Sequence, residues 1–297
     1  SAKEEKPRED VERVGGAEGA DAHLRAGDVA AARALLEQGI TRLGPDPRLL
    51  DLLADASERS GDLETAAHAL ERAHALLPAS PRLARRLRDV YVATARWADA
   101  VALQSDLLLR LHDPAALGAE QAVSCGLRYQ TALAEPDARL AARRLGALAR
   151  EHPRFIPAWV SAGDRYAEAG RAFLARRSWE RGARHWPAAV LLERLERLDA
   201  NRPEHTTRLY RRLRRRHPDA PGVALFLARH LIARGALDQA TTELTGLPAA
   251  LAGHPLVHVL WGELHRQRGN HSLAAEAFAR AVGPHAGLES PFACTAC

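Results

Sequence analysis

Glycine recurs at an interval of 34 residues in two separate parts of the chain. Gly27 and Gly61 form one pair, Gly235 and Gly269 form the other, and an alanine follows each glycine five residues later. A fixed period of this length is the signature of a repeated supersecondary unit, and two helices joined by a turn fill it. The spacing therefore predicts an array of helical hairpins.

One segment, residues 156–187, shows the internal pattern of such a unit most completely. Small residues stand where two helices would cross, and a proline ends the second helix because it cannot continue the hydrogen-bond ladder. Residues 47–78 and 255–286 repeat this pattern. The three segments predict an all-α fold, a right-handed α-solenoid of about eight tetratricopeptide repeats. The matching residues of the first segment are Trp159, Gly163, Tyr166, Gly170, Ala175, Trp179, Gly182 and Pro187.

Weaker units fill the rest of the array. Residues 81–114 have Ala95 where a glycine is expected at the turn, and residues 115–153 are longer than one period. Before the array, residues 1–20 are polar and charged, which predicts a flexible lead-in. The predicted domains are therefore a lead-in over 1–20, a tetratricopeptide solenoid over 21–287 and a short segment over 288–297.

Composition excludes several classes of protein. Apolar residues are 46% of the 297 and aromatic residues only 5%, and there are three cysteines. No apolar run approaches the roughly 20 residues of a spanning helix, and the cysteines are too few for a disulfide scaffold. No phosphate-binding loop, nucleophile elbow or kinase signature is present, so we do not expect an enzyme. These features indicate a helical protein of a reducing, cytoplasmic compartment.

A Cys-x-x-Cys pair stands at residues 294 and 297. A tight turn lets two thiolates such as Cys294 and Cys297 reach one metal ion. A site with four ligands needs a second pair, which this sequence does not contain. The pattern thus predicts the first half of a rubredoxin- or zinc-ribbon-type module that would hold iron or zinc. Two unpaired thiols, or a redox pair, are the alternatives.

The first helix of each repeat supplies the face on which this class of fold commonly receives a peptide. We expect it to project helix positions two, five, nine and twelve into a groove for a partner protein. A groove that is merely solvated is the alternative. The candidate partner-binding residues are Arg48, Asp51, Asp55, Arg82, Arg85, Asp89, Arg229 and Glu263.

Positive charge is concentrated in the middle of the chain. The whole chain has a net charge of +5, whereas residues 131–220 hold 20 basic and 11 acidic residues, a net +9. Within them Arg208, Arg211, Arg212 and Arg215 would share one helix face and form a basic patch. A solvated face, an acidic protein or lipid headgroup, and a nucleic acid are the open interpretations. Without interleaved aromatic residues, nucleic acid is the least expected partner of the three.

The order of these parts resembles the lipopolysaccharide assembly protein B family. A charged lead-in is followed by about eight tetratricopeptide repeats and then directly by a Cys-x-x-Cys pair. Residues 87–101 look like a characteristic repeat of that family, and residues 292–297 look like the start of its metal module. The resemblance implies a non-enzymatic adaptor.

Further expectations come from that resemblance alone. It implies tethering to the cytoplasmic face of the bacterial inner membrane through an N-terminal helix that is missing here. The adaptor would present the deacetylase of lipid A synthesis to a membrane AAA+ protease. Cys294 and Cys297 would be the first two of four thiolate ligands. The alternatives are a generic tetratricopeptide assembly factor with another partner, and a helical-repeat nucleic-acid binder that uses residues 208–216.

Overall fold

The computed structural model describes residues 15–282, and every regular element in that range is helical. The described residues form sixteen α-helices and one short 3-10 helix, η1 (Ala249–Leu251). This confirms the predicted all-α fold of tetratricopeptide-like helical repeats. The helices are α1 (15–26), α2 (Val29–Leu43), α3 (Pro47–Arg59), α4 (Leu63–Leu76), α5 (Pro81–Ala93), α6 (Trp97–Arg110), α7 (Pro114–Leu133), α8 (Ala138–Glu151), α9 (Ile156–Glu168), α10 (Ala172–His185), α11 (Ala189–Leu198), α12 (Pro203–Arg216), α13 (Pro221–Ala233), α14 (Leu237–Thr245), α15 (Pro255–Gln267) and α16 (His271–Val282).

The chain divides into two compact units between Ala134 and Glu135. In the first unit each helix from α2 to α7 packs against its neighbours along the chain. In the second unit each helix from α8 to α16 does the same, and α10 also touches α12 while α13 touches α15. Contacts restricted to near neighbours are what a repeat array requires.

Many of the helices begin with proline directly after a capping side chain. In α3 the Asp46 carboxylate accepts hydrogen bonds from the backbone N–H groups of Arg48 at 2.8 Å and Leu49 at 3.4 Å. Proline suits the first helical position because its missing N–H would have no partner there. The pairs Ser80–Pro81, Asp113–Pro114 and His254–Pro255 start three further helices in the same way.

The periodic glycines close the first helix of a repeat. Gly61 has a φ of 78°, and the N–H of Asp62 donates to the carbonyl of Ser57 at 2.9 Å. This left-handed closure satisfies carbonyls that the helix end leaves unpaired, and glycine adopts it without a Cβ clash. Ala95 occupies the same position in its repeat with a φ of 56°. The backbone turn is therefore kept where the glycine is absent.

Interlocked tryptophans fill the α9–α10 crossing. A Cβ on Gly163 would lie 2.0 Å from Nε1 of Trp179, and a Cβ on Gly182 would lie 2.7 Å from Cβ of Trp159. Each indole N–H also donates to a backbone carbonyl, Trp179 to Val160 at 3.2 Å. The alternation of small and large residues in the sequence thus reflects the packing of this crossing, because each glycine makes room for one indole.

Ordered helix begins earlier than the sequence suggested. Residues 15–20 fall in the predicted lead-in, yet they belong to α1, and Ala20 is fully buried. The reason is a close approach: a Cβ on Gly19 would lie only 3.2 Å from Cδ2 of Leu35. Among the helices that the structure describes, none is both long and apolar enough to cross a membrane.

Candidate functional site

Several of the candidate partner-binding residues of the first unit line one groove. Arg48, Asp51 and Arg82, three of its candidate residues, line a groove of about 430 Å³ on α1, α3 and α5. The apolar side chains of Leu52 and Leu77 also line it, and Leu77 is 49% exposed. The groove therefore combines charged rims with accessible apolar surface.

Ion pairs connect α3 to α5 along this face. Asp51 accepts hydrogen bonds from Arg82 and from Arg86, each at 2.5 Å. Arg86 also donates to the Glu58 carboxylate at 2.7 Å. Burial disfavours the charge on Arg86, but the carboxylates of Asp51 and Glu58 outweigh it and raise the pKa of that guanidinium. Asp51 is thus held by ion pairs to the next repeat.

A second cluster connects α5 to α7 through the buried carboxylate of Glu120. This group accepts from Arg85 at 2.6 Å, from Arg88 at 2.8 Å and from Gln104 at 2.8 Å. Burial opposes ionisation of Glu120, yet hydrogen bonds from Arg85 and Gln104 and the charge of Arg88 prevail, so its pKa lies below the ordinary 4.5. Arg88 also pairs with the exposed Asp89 at 2.8 Å.

The remaining groove candidates lie in other pairs. Asp55 pairs within α3 with Arg59 at 3.0 Å. In the second unit Arg229 pairs with Glu196 of α11 and stacks over the ring of Phe226, 4.5 Å from its centroid. Glu263 accepts from Arg266 at 2.8 Å and from Gln267 at 2.9 Å, hydrogen bonds that lower its pKa to about 2. Of the eight candidates, only Arg48 has a side chain without a hydrogen bond or ion pair to the described residues.

Sequence reasoning missed the partners that make these clusters. The residues that were not among the candidates are Arg86, Arg88, Gln104 and Glu120. The spacing of two of the ion pairs could have predicted them. Asp51 and Arg86 are 35 residues apart, and so are Arg85 and Glu120. Opposite charges about one repeat apart on first helices predict an ion pair between adjacent repeats.

The basic patch of the second unit forms one groove between α10 and α12. All four predicted arginines line a cavity of about 580 Å³. The side chain of Arg211 donates to that of Gln239 at 2.6 Å, whereas the side chains of Arg212 and Arg215 have no hydrogen bond or ion pair to any described residue. The cavity is lined by Arg176, Glu180, His205, Arg208, Arg211, Arg212 and Arg215.

The candidate metal ligands Cys294 and Cys297 lie outside the described residues, so the iron or zinc site stays a prediction. Over residues 15–282 no cluster of three or more histidine, cysteine, aspartate or glutamate side chains is arranged to hold a metal ion. The third cysteine, Cys125, lies half-buried on α7.

Comparisons with known proteins return repeat proteins. Residues 197–264 match the tetratricopeptide repeat family model, and no curated protein matches the sequence. MamA of AMB-1 is 19% identical over 58% of this chain and 91% of its own, with a TM-score of 0.38. A tetratricopeptide repeat protein from Parabacteroides merdae is 14% identical over 94% of this chain and 95% of its own, with a TM-score of 0.33. A thermophilic tetratricopeptide protein of Thermus thermophilus is 17% identical over 74% of this chain and 99% of its own, with a TM-score of 0.26.

The repeat geometry and the family match agree. The matched residues run from the end of α11 to α15, and the same hairpins, glycine turns and small-to-large crossings recur in the other described helices. The described helices therefore have a tetratricopeptide-like helical-repeat fold, and residues 197–264 match the family model itself.

Proposed function

We propose that this chain is a non-enzymatic adaptor that binds another protein at the groove of α1, α3 and α5. The observation that carries the proposal is the row of ion pairs from Asp51 through Glu120, which connects α3 to α5 and α5 to α7, while Arg59 of α3 donates to the Leu24 carbonyl of α1 at 2.8 Å. A surface held in place before binding loses little conformational entropy when a partner arrives. Arg48 and Leu77 stay accessible beside that row and supply one charged and one apolar contact.

The specific form of the proposal comes from the order of parts in the sequence. A charged lead-in, tetratricopeptide repeats and a terminal Cys-x-x-Cys pair support an adaptor of lipopolysaccharide synthesis at the cytoplasmic face of the inner membrane. Its partners would be a membrane AAA+ protease and the lipid A deacetylase. Cys294 and Cys297 would contribute two thiolates to an iron or zinc site completed by a second cysteine pair.

Affinity capture from a bacterial membrane fraction tests both levels of this proposal. The bait is the wild-type chain, an Arg48→Glu/Leu77→Ser variant of the groove, or a matched Arg42→Glu/Leu109→Ser control. Leu109 is 82% exposed on α6, so the control makes the same chemical changes away from the groove. We expect mass spectrometry to find the protease and the deacetylase with wild type and control, and neither with the groove variant.

Other outcomes separate the alternatives. If a different protein is captured in a groove-dependent way, the chain is a generic assembly factor and the lipopolysaccharide role is wrong. Capture that survives the groove substitutions would contradict the groove itself. A captured component that nuclease digestion removes would favour the nucleic-acid alternative.

A further inference from the structure

We propose that the groove between α10 and α12 is a binding site for a ligand that carries several closely spaced phosphate groups. The site lies on second helices of the second unit, whereas the proposed protein groove lies on first helices of the other unit. The two proposals are therefore independent, and each can fail without the other.

One wall of the groove is already neutralised. Arg176 of α10 donates to the Asp199 carboxylate at 2.7 Å and to Glu180 at 2.8 Å. Asp199 is almost fully buried, and the hydrogen bonds that Arg176 donates to these carboxylates raise the pKa of its guanidinium. Arg184 also pairs with Glu180 at 3.5 Å, so two guanidinium groups balance the two carboxylates on this wall.

The opposite wall of the groove carries four arginines, of which only Arg208 lies near a carboxylate of its own helix, that of Glu204. Arg208, Arg211, Arg212 and Arg215 line the groove from α12, and none of the four has an ion pair to a described residue. Of the α12 arginines outside the groove lining, Arg214 pairs with Glu243 at 3.5 Å and Arg216 donates to the Arg184 carbonyl at 3.0 Å. The four groove-lining arginines therefore form a concentration of positive charge without an ion pair to the described residues.

This arrangement is unfavourable for the helix by itself. Arg208 and Arg212, and likewise Arg211 and Arg215, are four residues apart on one helix, where like charges repel. The opposite face of α12 holds the helix in place through buried side chains such as Leu209, Tyr210 and Leu213. A bound polyanion would remove the repulsion, and binding would therefore stabilise the fold.

Phosphate chemistry fits the groove better than other anions do. Guanidinium groups bind phosphate oxygens in pairs of parallel hydrogen bonds, and arginines three or four residues apart on a helix lie about 5–6 Å from one another. A single monovalent anion would leave most of the charge unbalanced. The volume of about 580 Å³ falls within the range of small-molecule sites. No phenylalanine, tyrosine or tryptophan lines the groove, so it offers little stacking surface to the bases of a nucleic acid.

Titration calorimetry with inorganic triphosphate tests the site directly. The proteins are wild type, an Arg212→Gln/Arg215→Gln variant and a matched Arg42→Gln/Arg72→Gln control, whose two exposed arginines lie in the first unit. We expect one triphosphate per chain, an affinity at least about tenfold weaker in the groove variant, and an unchanged affinity in the control. Triphosphate should raise the melting temperature of the wild type and of the control, but not that of the groove variant. Without ligand the groove variant should melt at the wild-type temperature or above, which also shows that it folds.

Sedimentation with vesicles identifies the source of the phosphates. If phosphatidylcholine vesicles with added phosphatidic acid bind wild type, and triphosphate displaces them, the ligand is a lipid headgroup. Binding of triphosphate without vesicle binding assigns a soluble ligand, and either result supports the site. Absence of triphosphate binding, or an equal loss of affinity in both double variants, would overturn the proposal. It would also be overturned if a single-stranded RNA bound more tightly than triphosphate and lost that binding in the groove variant.

Discussion

At the scale of single residues, the crossing of α9 and α10 depends on two glycines. A methyl group on Gly163 would overlap the indole of Trp179, whose N–H donates to the Val160 carbonyl. The ring cannot move away without losing that bond and its packing. We expect Gly163→Ala to lower the free energy of unfolding by about 3 kcal/mol, as overpacking of a filled core does. Urea denaturation followed by circular dichroism measures the change.

Gly222→Ala is the matched control for this prediction. Gly222 lies in a helix of the same unit, and a Cβ there would meet nothing within 4 Å. Because alanine favours helix more than glycine does, stability should stay the same or rise by up to about 1 kcal/mol. If both substitutions destabilise the protein equally, the interlocked tryptophans are not the cause.

The packing at the helix crossings could be predicted from the sequence, because small and large side chains alternate there at a fixed spacing. The turn at Ala95 could be predicted only in part. An alanine there argues against a left-handed turn. Ala95 nevertheless has a φ of 56°, and the Arg96 N–H donates to the Tyr91 carbonyl at 2.8 Å, as in the glycine turns. The helices on both sides fix the turn, and this tertiary constraint exceeds the local cost of about 1–2 kcal/mol.

At the scale of helices, Glu120 connects α7 to α5 through its hydrogen bonds from Arg85 and Arg88. Replacing it with glutamine removes a charge that three donors share and leaves Arg88, which is only 9% exposed, without its buried counter-charge. Arg88 keeps its bond to Asp89, which limits the loss. We therefore expect Glu120→Gln to cost about 2–3 kcal/mol near neutral pH. Denaturant titration at a series of pH values measures it.

The pH dependence of that loss follows from the pKa of Glu120. Its folded-state pKa lies below the ordinary 4.5, so the stabilisation is fully present above that value and is lost as pH falls through the lowered pKa. The difference between wild type and Glu120→Gln should shrink over that range. A difference that stays constant as the acid is added would contradict a charge-based role. Glu263→Gln, which breaks exposed bonds within α15, should cost less than about 1 kcal/mol.

Helix faces could be predicted, but their partners could not. The helical period places Arg208, Arg211, Arg212 and Arg215 on one face, and the structure brings them together in one groove. The second wall, with Arg176 and its carboxylates, depends on which helix packs alongside. Periodicity gives the direction of a side chain within its own helix and not the residues that it meets across a contact.

At the scale of the whole molecule, the repeat period predicted the helical-repeat fold but not the boundary between its two compact units. The segment over residues 115–153 exceeds one period, and the boundary between the compact units falls inside it, after the 20-residue helix α7. The irregular length marks this unit as different. The location of a boundary depends on the balance of packing on its two sides, which a one-dimensional pattern does not contain.

Neighbour-only packing leads to a prediction about how disturbance spreads. In each unit the main contacts of the described helices are with helices one or two places away along the chain. Stability in such an array is a sum of repeat and neighbour-interface terms, so damage to one hairpin should stay near it. In Gly163→Ala, amide hydrogen exchange measured by mass spectrometry should therefore accelerate in α9 and α10, less in α8 and α11, and not in α3 and α4. Uniform acceleration over all described helices would instead mean that the chain unfolds as one cooperative body.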